Sequence, residues 1–201
     1  YERENYTELL WVAEGFTAYY DDLICRRADV LGVDRYLEIV GENIQNAWRT
    51  PGRILHPLAA ASYDAWIKLY RPDENTRNST QSYYANGGLA AMCIDLAIRD
   101  ATDGARSLDD AVRHLYRTTY GEDRGYTHQD VLDSIAHAAG RDLSDLVNTL
   151  VLGPFDPDFG LALDTVGIAM ERRSSAGPFL GVQVRSGSTV LSSVSSHGPA
   201  A

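Results

Sequence analysis

Glu14 is the natural place to begin a chemical reading. It lies in LLWVAEGFTAYYDD, residues 9–22, which has the periodicity of an amphipathic helix. Gly15, the next residue, costs a helix about 1 kcal/mol relative to alanine. At about 100° per residue, Glu14 falls about 130° from the centre of the apolar stripe, where a solvated flank glutamate fits as well as a metal ligand. The other groups able to bind metal are scattered. His56, His114, His128, His137 and His197 form no His-Glu-x-x-His pair, so no zinc helix of that type is present. Cys25 and Cys93 have no Cys-x-x-Cys spacing and fall in separate predicted helices, reading as buried thiols rather than a disulfide framework or zinc ribbon. There is no glycine-rich phosphate loop and no internal repeat.

These groups need a frame, and helical periodicity dominates residues 1–150. A first helix is expected over 7–30, with Leu9, Ala13, Phe16, Tyr20, Leu23 and Ile24 along one stripe. Trp11, Glu14 and Ala18 share a side away from that stripe, so Trp11 needs a cover from outside the helix. A second helix over 34–48 stops at Thr50-Pro51-Gly52. Residues 50–81 read as irregular, with PGRILHPLAAAS followed by the turn-rich RPDENTRNST. A long loop within a packed domain often carries function. A long helix follows over 82–102, with Leu89, Met92, Cys93 and Leu96 inward. Three capped helices come next, announced by Ser107-Leu-Asp-Asp110, Thr127-His-Gln-Asp130 and Asp142-Leu-Ser-Asp145. Gly121 and Gly140 suit the ends of the first two.

After Leu152 the grammar changes. LGPFDPDFG is a turn-rich joint, LALDTVG a short helix and IAMERR a possible strand. Beyond it, Gly, Ser and Val alternate as two short strands around Ser186-Gly187-Ser188. The division expected is 1–152 helical, 153–176 a joint, and 177–201 the beginning of a β unit.

Composition sets outer limits. The 201 residues are 44% hydrophobic and 23% charged, enough for one substantial core. With 28 acidic against 18 basic residues the net charge is −10, which argues against a nucleic-acid groove or an anionic membrane surface. No stretch approaches the roughly 18 apolar residues of a membrane span.

Three separated segments, ENYTELLWVAEGFTAYYDD, SYDAWIKLYRPDENTRNSTQSYYANGGLAA and SLDDAVRHLY, together resemble the glycyl aminopeptidases. These are zinc metallopeptidases of thermolysin-like architecture with a PDZ domain after the catalytic domain. The resemblance implies a mainly α chain: the C-terminal helical part of such a catalytic domain, followed by the start of a PDZ domain. Trp11-Val12-Ala13-Glu14-Gly15-Phe16 matches a Trp-x-x-Glu-Gly-Phe signature, which makes Glu14 the third zinc ligand. The two histidine ligands would belong to a zinc helix upstream of Tyr1. Two imidazoles and one carboxylate leave the ion a positive charge and an open position, able to acidify water for attack on a peptide carbonyl.

The resemblance makes Tyr84 the oxyanion donor, in Tyr83-Tyr84-Ala85-Asn86-Gly87-Gly88, with Asn86 where the related Tyr-x-Lys-Gly motif has lysine. The alternative reading is a packing tyrosine at a helix start, with Tyr83 beside it as a competitor. Arg53, His56, Asp73, Glu74 and Asn75 occupy stretches similar to loops near the family's cleft, although Asp and Asn there also make turns. GPFLGVQV resembles the start of a PDZ domain, so Phe179, Leu180, Gly181 and Val182 would form its carboxylate loop and strand. The parent enzyme is expected to use zinc and to remove small, glycine-like N-terminal residues from peptides. The fragment itself is expected to bind no zinc, to lack activity, and to self-associate through open strand edges. The alternative is a non-catalytic helical scaffold or peptide-binding module of metallopeptidase ancestry.

Overall fold

The computed structural model describes residues 4–121, 124–173 and 180–199. Within them the chain is a helical bundle followed by a two-stranded antiparallel sheet. Its helices are α1 (Leu10–Arg27), α2 (Val33–Trp48), α3 (Gly52–Leu55), α4 (Leu58–Tyr63), α5 (Thr76–Ser79), α6 (Ala85–Ala101), α7 (Leu108–Thr119), α8 (His128–Ala139), α9 (Ser144–Leu152) and α10 (Phe159–Asp164). The strands are β1 (Val182–Val184) and β2 (Leu191–Val194).

Helix α6 is the axis. Buried residues occur all round it, among them Leu89, Ala90, Ala91, Met92, Cys93, Ile94, Asp95, Leu96 and Ile98, because α1, α2, α7, α8, α9 and α10 all pack against it. A helix apolar on every side belongs inside a bundle. Its buried charge, Asp95, has partners on every side. Asp95 accepts from the Tyr19 hydroxyl (2.7 Å), Arg99 Nε (2.8 Å) and the Leu108 N–H (2.6 Å), tying α1, α6 and the start of α7 together.

Two capping boxes form as their spacing predicts. Ser107 and Thr127 accept from first-turn amides, while Asp110 and Asp130 reach back to the Ser107 and Thr127 N–H groups. Gly140 ends α8 in the left-handed region at φ 68°. The third signature does not form. Asp142 accepts from the Ser144 N–H (2.8 Å), but α9 begins at Ser144 with Leu143 as its cap, so Asp142 closes a turn before the helix.

Other expectations shift. The irregular 50–81 segment contains three short helices, α3 to α5, and residues 168–173 form no strand. The apolar stripe assigned to α1 is displaced as well. Of the expected stripe, Phe16 is buried and Leu9 and Tyr20 pack partly buried against the core, but Ala13 is exposed and Ile24 is 55% exposed, whereas Trp11, Val12 and Gly15 off that stripe are buried. The cover that Trp11 needs comes from other helices of this same chain. Trp11 is fully buried within this chain, edge-on to Phe16 with centroids 5.8 Å apart, and its backbone N–H donates to Ser62 Oγ (3.0 Å).

The reason is a contact without a hydropathy signal. At Gly15 the backbones of α1 and α6 cross so closely that a Cβ there would lie 2.6 Å from the carbonyl carbon of Gly87. Glycine at that point is what lets the helices approach, and the approach turns the Trp11 side inward.

The β segment pairs Val182 with Val194 and Gln183 with Ser193, then shifts register before Val184 meets Leu191. Asn78, near the end of α5, fastens it to the bundle: its Nδ2 donates to the Val194 carbonyl (2.7 Å) and its Oδ1 accepts from the Ser196 N–H (3.0 Å).

Candidate active-site face

Glu14 occupies the second turn of α1, one residue before the Gly15–Gly87 crossing. Tyr84 is the N-cap residue of α6, three residues before that crossing on the other helix. The close approach of the two backbones therefore brings both residues to one face. Their electrostatics agree: the Tyr70 hydrogen bond raises the Tyr84 pKa and burial that of Tyr126, and the negative charge of Glu14 adds to both. The half-buried Glu14 carboxylate has no hydrogen-bond or ion-pair partner among the described residues. Its lone pairs are available.

The tyrosine pair divides by burial. Tyr83 is 1% exposed and Tyr84 37%, their rings stacked with centroids 4.7 Å apart. Tyr70, from the segment before α5, joins both hydroxyls, lying 2.9 Å from the Tyr83 oxygen and 3.4 Å from the Tyr84 oxygen. The hydrogen bond with Tyr70, then burial, push the Tyr84 phenol up to about 12, with Glu14 adding to the effect. The phenol therefore stays protonated at neutral pH and can donate. Burial likewise raises Tyr83, whose hydroxyl is enclosed. Tyr84 carries the accessible O–H of the pair.

Asn86 faces the interior. It is 4% exposed and donates from Nδ2 to Gln81 Oε1 (2.7 Å), while Gln81 donates to the carbonyl of His56. His56 is 6% exposed, with Nδ1 2.7 Å from Thr80 Oγ1 and Nε2 3.3 Å from Asp64 Oδ2. Desolvation, followed by the nearby Lys68 charge, lowers the His56 pKa and keeps the ring neutral at neutral pH. This buried polar chain fixes residues 80–86, the approach to α6, and hence the base on which Tyr84 stands.

The remaining loop candidates shape the backbone. Asp73 Oδ1 accepts from the Asn75 N–H (2.9 Å) and the Thr76 hydroxyl (2.9 Å), and Asn75 Oδ1 accepts from Asn78 (3.1 Å). Arg53 pairs with Asp156 (2.9 Å), holding the joint after α9 against α3, and Glu74 is exposed. Tyr70 and Tyr126 had no sequence signal, because they reach this face from segments far apart in the chain.

On the β segment, Leu180 is 65% exposed, Gly181 takes φ 71° against Gly198, and Val182 opens β1. Phe179 lies outside the described residues. A cleft of about 860 Å³ separates this hairpin from α2, α3 and α5, with Trp48, Arg49, Arg77, Val182 and His197 in its lining.

Among the described residues no group of three or more His, Cys, Asp or Glu side chains is placed to hold a metal ion. Glu14 suits one ligand position and no more. None of the described helices is long and apolar enough to cross a membrane.

Comparison with known proteins finds similarity at the level of family over part of the chain. Residues 1–90, which contain both Glu14 and Tyr84, match the M61 glycyl aminopeptidase family. A crystal structure of an aminopeptidase N family protein from Idiomarina loihiensis superposes with a TM-score of 0.83 at 26% identity, over 90% of this chain and 33% of that one. This chain thus spans about a third of that protein's length. No curated protein matches. Over this part of the chain the likeness is to glycyl aminopeptidases and aminopeptidase-N-like metallopeptidases at the level of family.

Proposed function

We propose that this chain supplies one wall of the active site of a zinc aminopeptidase that removes small, glycine-like N-terminal residues from peptides. The observation that carries the reading is the meeting of an unpartnered Glu14 carboxylate and an accessible, protonated Tyr84 phenol at the α1–α6 crossing, inside the segment similar to the M61 glycyl aminopeptidases. In this reading Glu14 would be one ligand of the metal, and the two further ligands would come from outside the described residues. A zinc ion bound there would supply Lewis-acid polarisation of the scissile carbonyl and an acidified water. Tyr84 donates its O–H to the carbonyl oxygen as negative charge develops there, and Tyr70 holds that hydroxyl in place. In the same reading, residues 177–201 are the start of a PDZ-like unit, to whose carboxylate loop and strand the resemblance assigns Phe179, Leu180, Gly181 and Val182. Its open strand edges are the points of self-association.

The test is metal content and activity of the full-length protein with and without Glu14. The wild type is expected to hold about one zinc per chain and to hydrolyse a glycyl anilide, with both properties lost in Glu14→Gln at unchanged helical content. Zinc and turnover at wild-type levels in Glu14→Gln would overturn the assignment of Glu14. A wild type with neither zinc nor activity would instead favour a helical scaffold of peptidase ancestry, a reading to which Asn86 in the motif's lysine position gives some weight.

A further inference from the structure

Away from the Glu14–Tyr84 face, basic side chains converge where α7 packs on α8. Arg113 and Arg117 are one helical turn apart on α7, with His114 between them. Arg106 precedes that helix, and His137 stands in the last turn of α8. These five residues and Asp110 line a cavity of about 210 Å³. The helix packing stacks the imidazoles of His114 and His137, with centroids 4.0 Å apart and planes at 23°. Arg106 braces the wall by donating to the His137 carbonyl (2.8 Å).

The tautomer of His114 follows from its neighbour. Ser134 has one hydroxyl proton and gives it to the Asp130 carbonyl (2.7 Å), so its oxygen is left to accept from His114 Nδ1 (3.1 Å). The nitrogen with a free lone pair is therefore Nε2. It becomes a second donor if an anion brings a proton with it.

The charge balance here is the reverse of the chain as a whole, whose net charge is −10. Three guanidinium groups line the cavity against one carboxylate, and both oxygens of that carboxylate are engaged. Asp110 Oδ2 accepts from the Ser107 N–H (3.0 Å), and Oδ1 pairs with Arg113 (3.2 Å). Asp109, 3.9 Å from Arg113, lies outside the cavity lining and is bonded to Tyr20 and Arg27. Arg117 has no carboxylate partner among the described residues. Within the lining, three guanidinium groups against one carboxylate leave an excess of two positive charges, while the charge of Asp133 reaches His114 from outside it. A metal cation is repelled here. A carboxylate neutralises only one of the two charges.

We propose that this α7–α8 cavity is a binding site for a phosphoryl dianion, held by Arg113 and Arg117 beside the stacked His114–His137 pair. Planar guanidinium groups suit such an anion because each presents two parallel N–H donors to its oxygens.

The experiment titrates inorganic phosphate into the full chain at neutral pH and constant ionic strength, following the C2–H resonances of His114 and His137. Phenyl phosphate, acetate and chloride are run in parallel. Saturable shifts of both imidazoles are expected with phosphate, and affinity should fall about tenfold or more in Arg113→Gln and in Arg117→Gln. Arg35→Gln, on α2, should bind like the wild type. Tighter binding of phenyl phosphate identifies a phosphomonoester as the ligand, and tighter binding of inorganic phosphate identifies the free ion. Either outcome supports the site. The proposal is overturned if phosphate gives no saturation below about 10 mM, if acetate binds as tightly, or if both arginine variants retain wild-type affinity. Arg117→Gln removes no described hydrogen bond, so a folded variant with unchanged helical content is expected for the decisive comparison.

Discussion

Replacing Gly15 by alanine adds one methyl group where α1 and α6 cross. The new Cβ would sit 2.6 Å from the carbonyl carbon of Gly87 and 2.7 Å from its Cα, whereas ordinary contact begins near 3.4 Å. Both neighbours are main-chain atoms, so no side chain can swing aside and the helices themselves must separate by most of an ångström. Overpacking of this kind costs roughly 1–3 kcal/mol, and a backbone-on-backbone contact belongs at the upper end. Alanine returns about 1 kcal/mol of helix propensity. The net expectation is a loss of about 2 kcal/mol, which for a domain of this size lowers the melting temperature by roughly 4–8 °C.

Gly41→Ala is the matched control. Gly41 also lies within a helix, α2, but has nothing within 4 Å of its would-be Cβ. Only the propensity gain applies there, so that variant should melt a few degrees above the wild type. Thermal unfolding followed by circular dichroism on the three proteins decides the matter. If Gly15→Ala melts at or above the wild type, as Gly41→Ala should, the close crossing does not exist in solution, and with it goes the account of how Glu14 and Tyr84 share a face.

Two further substitutions test that face from other directions. In the full-length protein, Tyr84→Phe should lower kcat on the order of 100-fold with KM little changed, since an oxyanion donor acts mainly in the transition state. Tyr83→Phe, altering an enclosed hydroxyl, should cost far less turnover, and the reverse order would show that the wrong phenol has been assigned. Asn86→Lys, which restores the lysine of the related motif, should destabilise the chain by on the order of 3 kcal/mol in urea unfolding, because it puts a charge where Asn86 is 4% exposed and bonded to Gln81. Unchanged stability together with raised activity would mean that position 86 opens to the cleft after all.

Local rules carried a good part of the fold. The boxes at Ser107 and Thr127 were legible because the cap and its acid lie three residues apart and complete one another whatever packs around them. The hairpin was legible for a similar reason, its turn and alternation being short-range. Asp142-Leu-Ser-Asp145 has the same spacing but closes a turn instead, with α9 beginning at Ser144, so the spacing alone does not fix where a helix begins.

What only tertiary structure decided was orientation and company. Hydropathy placed the buried side of α1 along Ala13 and Ile24, yet Trp11 and Gly15 face the core, because two glycines distant in sequence let two backbones meet. A glycine contributes nothing to an apolar stripe, so no periodicity could announce that contact. The inward turn of Asn86, the enclosure of Tyr83 and the arrival of Tyr70 beside Tyr84 follow from the same packing. So does the stacking of His114 on His137, 23 positions apart in the chain. Residue identity supplied the donors and acceptors. Their proximity depends on long-range backbone approach, which steric fit sets and local sequence does not encode.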